Sequence, residues 1–306
     1  MANNKTVLPK ENWTEQEKWV WEKLCTGEVA DFNSPGDPVK EKLYGGFLDS
    51  KKNELWNFEN KNAKNRILSI EFLETILLHE PYLSALTRKG VQIFGTWFTD
   101  SIDLSFATLG HLFAIHNSRF DANVNFSHLK SNNLISFVGS KFNGVLELHR
   151  LHIDGDLFMR GRAEFGEVDI GGAKIGGNLE MAGSKFIGKL YMNQLHVDSS
   201  LFMQSGAEFG EVDIGGAKIK GILSMVGSKF TGELNMNQLQ VNSSLFMKEG
   251  AEFGEVILRS AKIGGQIDMS ASKFSGKLNM DKLQVDSNLF MREGAEFGEV
   301  ILRSAK

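Results

Sequence analysis

The sequence predicts an all-β solenoid, a quadrilateral β-helix of about ten coils over residues 91–306, behind a small, mainly α-helical N-terminal cap over residues 1–90. Three observations carry this. Apolar residues recur every 22 residues in columns, as in Met159, Met181, Met203, Met225, Met247 and Met269. Leu157, Leu179, Leu201, Leu223, Leu245 and Ile267 stand two places earlier, and such i, i+2 pairing is the strand rule, because successive side chains on a strand point to opposite faces. A closer similarity returns every 44 residues, GAEFGEVDIGGAKI from 206 being echoed by GAEFGEVILRSAKI from 250, so two coils form one duplicated unit.

The first 90 residues hold four of the five tryptophans (Trp13, Trp19, Trp21, Trp56), all four prolines and no internal repeat. Thr14-Glu-Gln-Glu17 is a capping-box pattern and predicts a helix running to about Leu24. Residues 31–66, with Ser34-Pro35-Gly36-Asp37-Pro38 and Gly45-Gly46, read as loop. Ile70, Leu73, Ile76 and Leu77 at helical spacing behind Ser69 as N-cap, with Pro81 after the last turn, predict a second helix over 70–79. Both helices are amphipathic and are expected to cover the coil that begins at Val91.

Within each row of 22 a single Phe column follows the Leu/Met pair, through Phe142, Phe165, Phe186 and Phe209, and its spacing alternates between 23 and 21, so one corner gains and loses a residue. A second i, i+2 pair comes next, as in Val168/Ile170 and Leu190/Met192. A fourth side carries Ile153, Ile175, Val197 and Ile219, with Ser131 as its exception. Four inward positions per row leave two to four residues per corner. Gly144, Gly188, Gly232 and Gly276 fall at corners and are expected to supply positive φ. An α-helical repeat would instead need apolar residues at i, i+3, i+4 and i+7. Coils spaced at about 4.8 Å make a rod on the order of 45 Å long. The sequence stops at Ala305-Lys306, the opening of another unit; since open solenoid edges template further pairing, the chain is expected either to continue natively or to meet a partner there.

Units such as Ala173-Lys-Ile-Gly-Gly, Ser184-Lys-Phe-Ile-Gly and Ala217-Lys-Ile-Lys-Gly place a small residue two positions before an apolar one, and in this the chain resembles pentapeptide-repeat proteins over roughly 91–306. The resemblance implies a right-handed quadrilateral β-helix. The family's usual coil is four five-residue units with Asp or Asn often second, whereas here units of five and six alternate, so the resemblance is to an atypical member. Ile-Gly-Gly turns are also similar to those of bactofilin-like polymerising β-helices, whose coils are generally triangular; four inward columns favour the first family.

A hydrophobic content of 42%, a charged content of 24% and a net charge of −4 are too ordinary to imply nucleic-acid binding by bulk attraction, and no nucleic-acid partner is expected. From residue 91 onward, 24 Asp/Glu stand against 21 Lys/Arg, which disfavours the DNA mimicry directed at gyrase that the family resemblance would suggest. Cys25 is the single cysteine, and MANNKTVLPKENW lacks the apolar core of a secretory signal, so a cytoplasmic address is expected. No apolar run is long enough for a membrane span.

Little catalytic chemistry is on offer. Met shares its columns with Leu and Ile and reads as core filling, not as a row of soft metal ligands. Asp169-Ile-Gly-Gly-Ala-Lys-Ile-Gly-Gly lacks the following helix that a dinucleotide loop needs. The seven histidines, including the close pair His149 and His152, have no H-E-x-x-H or C-x-x-C companions and read as surface or corner residues. Cys25 reads as an inert core thiol. No catalytic, metal or cofactor-binding residue is assigned, and no cofactor is expected.

Two outward features are informative. Just before each Phe stand Lys141, Glu164, Lys185, Glu208, Lys229 and Glu252, so opposite charges alternate up one face and neighbouring coils can pair them. If Leu157 and Met159 point inward, Phe158 points out, and so do Phe202, Phe246 and Phe290 at the 44-residue step, making an aromatic stripe of candidate partner-binding residues. The expected function is a cytoplasmic, bacterial, non-enzymatic scaffold for protein–protein interaction or self-assembly, through a solenoid face or the open C-terminal end. The alternatives are a DNA-mimicking modulator of a DNA-processing enzyme such as gyrase, and an N-terminal effector that the solenoid presents.

Overall fold

The computed structural model describes residues 7–33 and 63–306. Most of the loop expected over 31–66, with Trp56, lies outside the described residues. Asp31 instead belongs to a two-residue strand, β1 (Ala30–Asp31), and Ala63–Arg66 form a 3-10 turn. A pair of residues shows no period, which is why β1 is invisible in the sequence; it forms because the first coil offers an open parallel edge, and Ala30 aligns with Ile93.

Helix α1 (Glu15–Thr26) starts on the expected capping box and ends on Gly27, whose φ of 72° closes the last turn. Helix α2 (Ile70–Leu78) starts on Ser69, and a short α3 (Tyr82–Ala85) follows it. One carboxylate ties the two caps together. Glu17 Oε2 accepts from the Thr14 N–H at 2.8 Å, while its Oε1 accepts from the Ser69 N–H at 2.9 Å and from Ser69 Oγ at 2.5 Å. Trp13 packs on Phe72 and Tyr82, and Trp19 on Phe32, in an apolar cluster continuous with the solenoid core. Buried Arg66 donates to Asn33 Oδ1 at 2.6 Å and to the Gly95 carbonyl at 3.0 Å, clamping this part to the first coil.

From Val91 the chain winds through four parallel sheets, each made of short strands stacked every coil. In chain order the faces begin with β2 (Val91–Phe94), β3 (Trp97–Phe98), β4 (Ile102–Asp103) and β5 (Thr108–Leu109), and are called first to fourth. Like columns pair in register: Leu157 with Leu179, Phe165 with Phe186, Val168 with Leu190, Ile175 with Val197. The Met column is buried up to Met269, and Met291 in the last coil is partly exposed.

All four faces carry an inward pair, where the sequence made only two plain. Ala163 precedes Phe165 and Ala173 precedes Ile175, both fully buried; alternate coils use Ser184 and Leu195 in these places. The Phe column is one continuous ring stack from Phe98 to Phe297. Its centroid spacing alternates with the corner length, 5.2 Å from Phe142 to Phe165 and 4.8 Å from Phe165 to Phe186. Buried serines serve the longer corners, Ser228 Oγ donating to the Met203 carbonyl at 2.7 Å.

The corner glycines correct an expectation. Gly144, Gly188, Gly232 and Gly276 do not have positive φ. They are glycine because coils touch there: a Cβ on Gly144 would lie 2.5 Å from the Ala122 carbonyl carbon, and one on Gly188 2.7 Å from Glu167 N. Positive φ falls on other glycines, such as Gly183 (66°) and Gly227 (63°), at the corner before the second face, and mostly on other residue types at the corner before the fourth, such as Arg150 (54°), Gln194 (57°) and Gln238 (57°). Inter-coil hydrogen bonds hold this left-handed backbone, as Arg150 N to Gly171 O at 2.9 Å shows.

Candidate interaction faces

Each face presents a column of outward side chains spaced by the coil repeat, and the four-residue strands that open the first face add a second, Phe94 beside His116. On the first face Phe158, Phe202, Phe246 and Phe290 stand in one column, in register with Glu180, Ser224 and Asp268 between them. All four rings are half-buried. What covers three of them is the first residue of the longer corner. The Arg160 guanidinium lies 4.6 Å from the Phe158 ring centre, Lys248 Nζ 5.6 Å from that of Phe246, and the Arg292 guanidinium 4.4 Å from that of Phe290.

The covering cation also reaches the acid of the next coil. Arg160 pairs with Glu180 at 2.6 Å, and Lys248 with Asp268 at 3.4 Å. Phe202 has a neutral version, in which Ser224 Oγ donates to Gln204 Oε1 at 2.6 Å. Burial opposes the charge of Asp268, yet hydrogen bonds from Ser270 and the nearby Lys248 hold it below the usual carboxylate range. The sequence carries the signal for these arrangements: a cation two places after Phe158, Phe246 and Phe290.

The second face bears the expected charge alternation, and the ions meet: Lys141–Glu164, Lys185–Glu208 and Lys229–Glu252 at 3.1 Å, Lys273–Glu296 at 3.2 Å. The outward column of the third face is mostly carboxylates and amides, interrupted by Tyr191, Ile257 and Ile301, and several of them cap their own turns, as Asp169 Oδ1 accepts from the Gly171 N–H at 2.7 Å and Asn235 Oδ1 from the Asn237 N–H at 3.0 Å. The outward column of the fourth face contains Lys130, His152, Lys174, His196, Lys218 and Lys262 and no carboxylate.

His149 and His152 do not converge: His149 lies 3.6 Å from Asp169 on the third-face side, and His152 lies 3.4 Å from Asp154 on the fourth. His116, expected with the other histidines to be a surface or corner residue, is half-buried on the first face. It stacks on Phe94 with ring centres 4.5 Å apart and contacts Ser136 Oγ at 2.7 Å, and burial, with Arg160 adding to it, pulls its pKa down to about 4. Burial pushes the Cys25 thiol up to about 11, which makes it a poor nucleophile at neutral pH. Among the described residues no cluster of three or more His, Cys, Asp or Glu has the geometry to hold a metal ion, and no helix is long and apolar enough to cross a membrane. Comparison with family models, with curated proteins and with solved structures finds no match to this chain.

Proposed function

We propose that the protein is a non-enzymatic β-solenoid scaffold, an atypical pentapeptide-repeat-like rod acting in the cytoplasm, whose first face mediates protein–protein interaction or self-association. The carrying observation is the ladder of half-buried phenylalanines, three of them roofed by a cation, which for Phe158 and Phe246 also meets an acid of the next coil. Aromatic residues and arginine dominate the energetic centres of protein interfaces, and a ring held at its site loses little freedom on binding. Repetition at two coils, about 9.6 Å by the strand spacing, presents the same unit several times along a stiff edge and suits a partner with a matching repeat, a second copy included. The helical N-terminal residues act as the cap of the first coil, a role supported by the Arg66 clamp and the shared apolar cluster.

The test is the double substitution Phe202→Ser and Phe246→Ser. Both rings lie outside the inward columns, so the rod is expected to keep its circular dichroism spectrum and nearly its melting temperature. Self-association by light scattering, or partner capture in pull-downs, is expected to fall. A variant that associates and captures like the parent removes the first face as the interaction surface.

A further inference from the structure

We propose that the fourth face binds a single-stranded nucleic acid laid along the coils, with phosphates held by Lys130, Lys174, Lys218 and Lys262 and a base stacked on Phe106. This stands independently of the first face. The four lysines are exposed and recur every second coil, about 9.6 Å apart by the strand spacing. Across the ladder each meets only histidine, glutamine or threonine positions, never a carboxylate. Such a row keeps its positive potential, and a flexible polyanion is the ligand that gains from it.

At the N-terminal end of the row the surface sinks into a depression of about 610 Å³, lined by Phe106, His128, Lys130, Arg150 and Lys174 among others. Phe106 is 74% exposed, unusual for so apolar a ring, and its backbone has a φ of 61°. It stacks on His128 with ring centres 4.7 Å apart and planes within 6°. A raised aromatic stack beside a line of cations is the arrangement by which single strands are held, the bases on the rings and the backbone on the charges.

The same observations select among polyanions. The basic row is one side chain wide, and the next corner carries exposed Asp154, Asp198 and Asp286. A broad anionic surface such as a bilayer, or a wide duplex, would be pressed against those carboxylates, whereas a single strand can follow the lysines. A polymer without bases makes no use of Phe106.

The experiment is fluorescence anisotropy with labelled oligo(dT) and oligo(U) long enough to span the face, over a range of salt. The parent is expected to bind at low salt with a log–log salt slope of about −0.7 per phosphate contact. Replacing all four lysines by glutamine is expected to weaken binding roughly tenfold or more and to flatten the slope by about 3. Phe106→Asn, which tolerates the left-handed backbone, is expected to weaken it roughly fivefold or more. Lys185→Gln with Lys229→Gln on the opposite face is expected to leave binding unchanged. Should the fourfold variant misfold by circular dichroism, Lys218→Gln alone is expected to flatten the slope by about 0.7. The proposal is overturned if the parent does not bind at low salt, if the lysine variants bind like the parent, or if the second-face variant weakens as much. It is equally overturned if inorganic polyphosphate or duplex competes as well as oligo(U) with no effect of Phe106→Asn, or if anionic vesicles are bound and oligonucleotides are not.

Discussion

The second and fourth faces lie on opposite sides of the rod, are each a parallel sheet with one strand per coil and share the same two-coil period, yet they treat charge in opposite ways. On the second, lysine and glutamate alternate and meet between coils, as Lys185 and Glu208 do at 3.1 Å. On the fourth, lysine alternates with histidine or glutamine and meets no acid. Both faces nevertheless keep the same coil-to-coil register. Ion pairs therefore do not set the register; the inward columns do, because a one-residue slip would turn every buried side chain outward. Exposed pairs add about 0.2–1 kcal/mol each, which leaves the outer columns free to serve another purpose.

If the core sets the register, cutting it should outweigh any change to the outer charges. Phe209→Ala beneath the second face removes one ring from the continuous stack and is expected to cost about 3–5 kcal/mol. Ile219→Val beneath the fourth is expected to cost about 0.5–1.5 kcal/mol. Because a solenoid can lose cooperativity along its length, hydrogen exchange of the flanking coils should accompany the thermal melts. Equal effects at the two positions would mean that the neighbouring rings of the stack close over the space that Phe209 leaves.

A smaller difference lies in the inward place two residues earlier. Beneath the second face it is Ser228, which satisfies the Met203 carbonyl in the longer corner; beneath the fourth it is an alanine or leucine with no such duty, Ala217 or Leu239. Ser228→Ala is expected to cost about 1–3 kcal/mol by leaving that carbonyl without its partner. Faster hydrogen exchange is expected at Ser205 and Gly206, the corner's two positive-φ residues. Unchanged exchange there would show that the corner is held by its backbone bonds alone.

The coil length, the four sides and both capped helices were legible because each rests on periodicity or on a local capping pattern. Glu17 joining both caps, and β1 adding to the first face, were not, since they depend on residues brought together by the fold. The reason for glycine at Gly144 and Gly188 was misread for a related cause: sequence shows that a corner is small but not whether a torsion or a neighbouring backbone requires it. The Phe158 to Phe290 column was visible, whereas the covering role of Arg160 and Lys248 required knowing that the longer corner folds back over the ring. Nearly balanced totals of acids and bases concealed the fourth face altogether, because composition averages over sides that the coil keeps apart.

Reversing one charge on each face separates the two designs most finely. Glu208→Lys would set Lys185, residue 208 and Lys229 directly above one another, three cations at about 4.8 Å steps, where like charges opposite each other are unfavourable. A loss of about 1 kcal/mol is expected, shrinking as salt screens the stack. Lys218→Glu on the fourth face would place a carboxylate between His196 and Gln240, with Lys174 and Lys262 two coils away. It breaks no ion pair across the ladder and relieves repulsion along the column, so stability is expected to stay within about 0.5 kcal/mol of the parent or to rise slightly. Melting temperatures at low and high salt read both outcomes. A salt-sensitive loss for Lys218→Glu as large as that for Glu208→Lys would mean that the fourth face is held together by its lysines after all. Oligonucleotide binding must meanwhile fall for Lys218→Glu and persist for Glu208→Lys if the unneutralised row exists for a ligand and not for the rod.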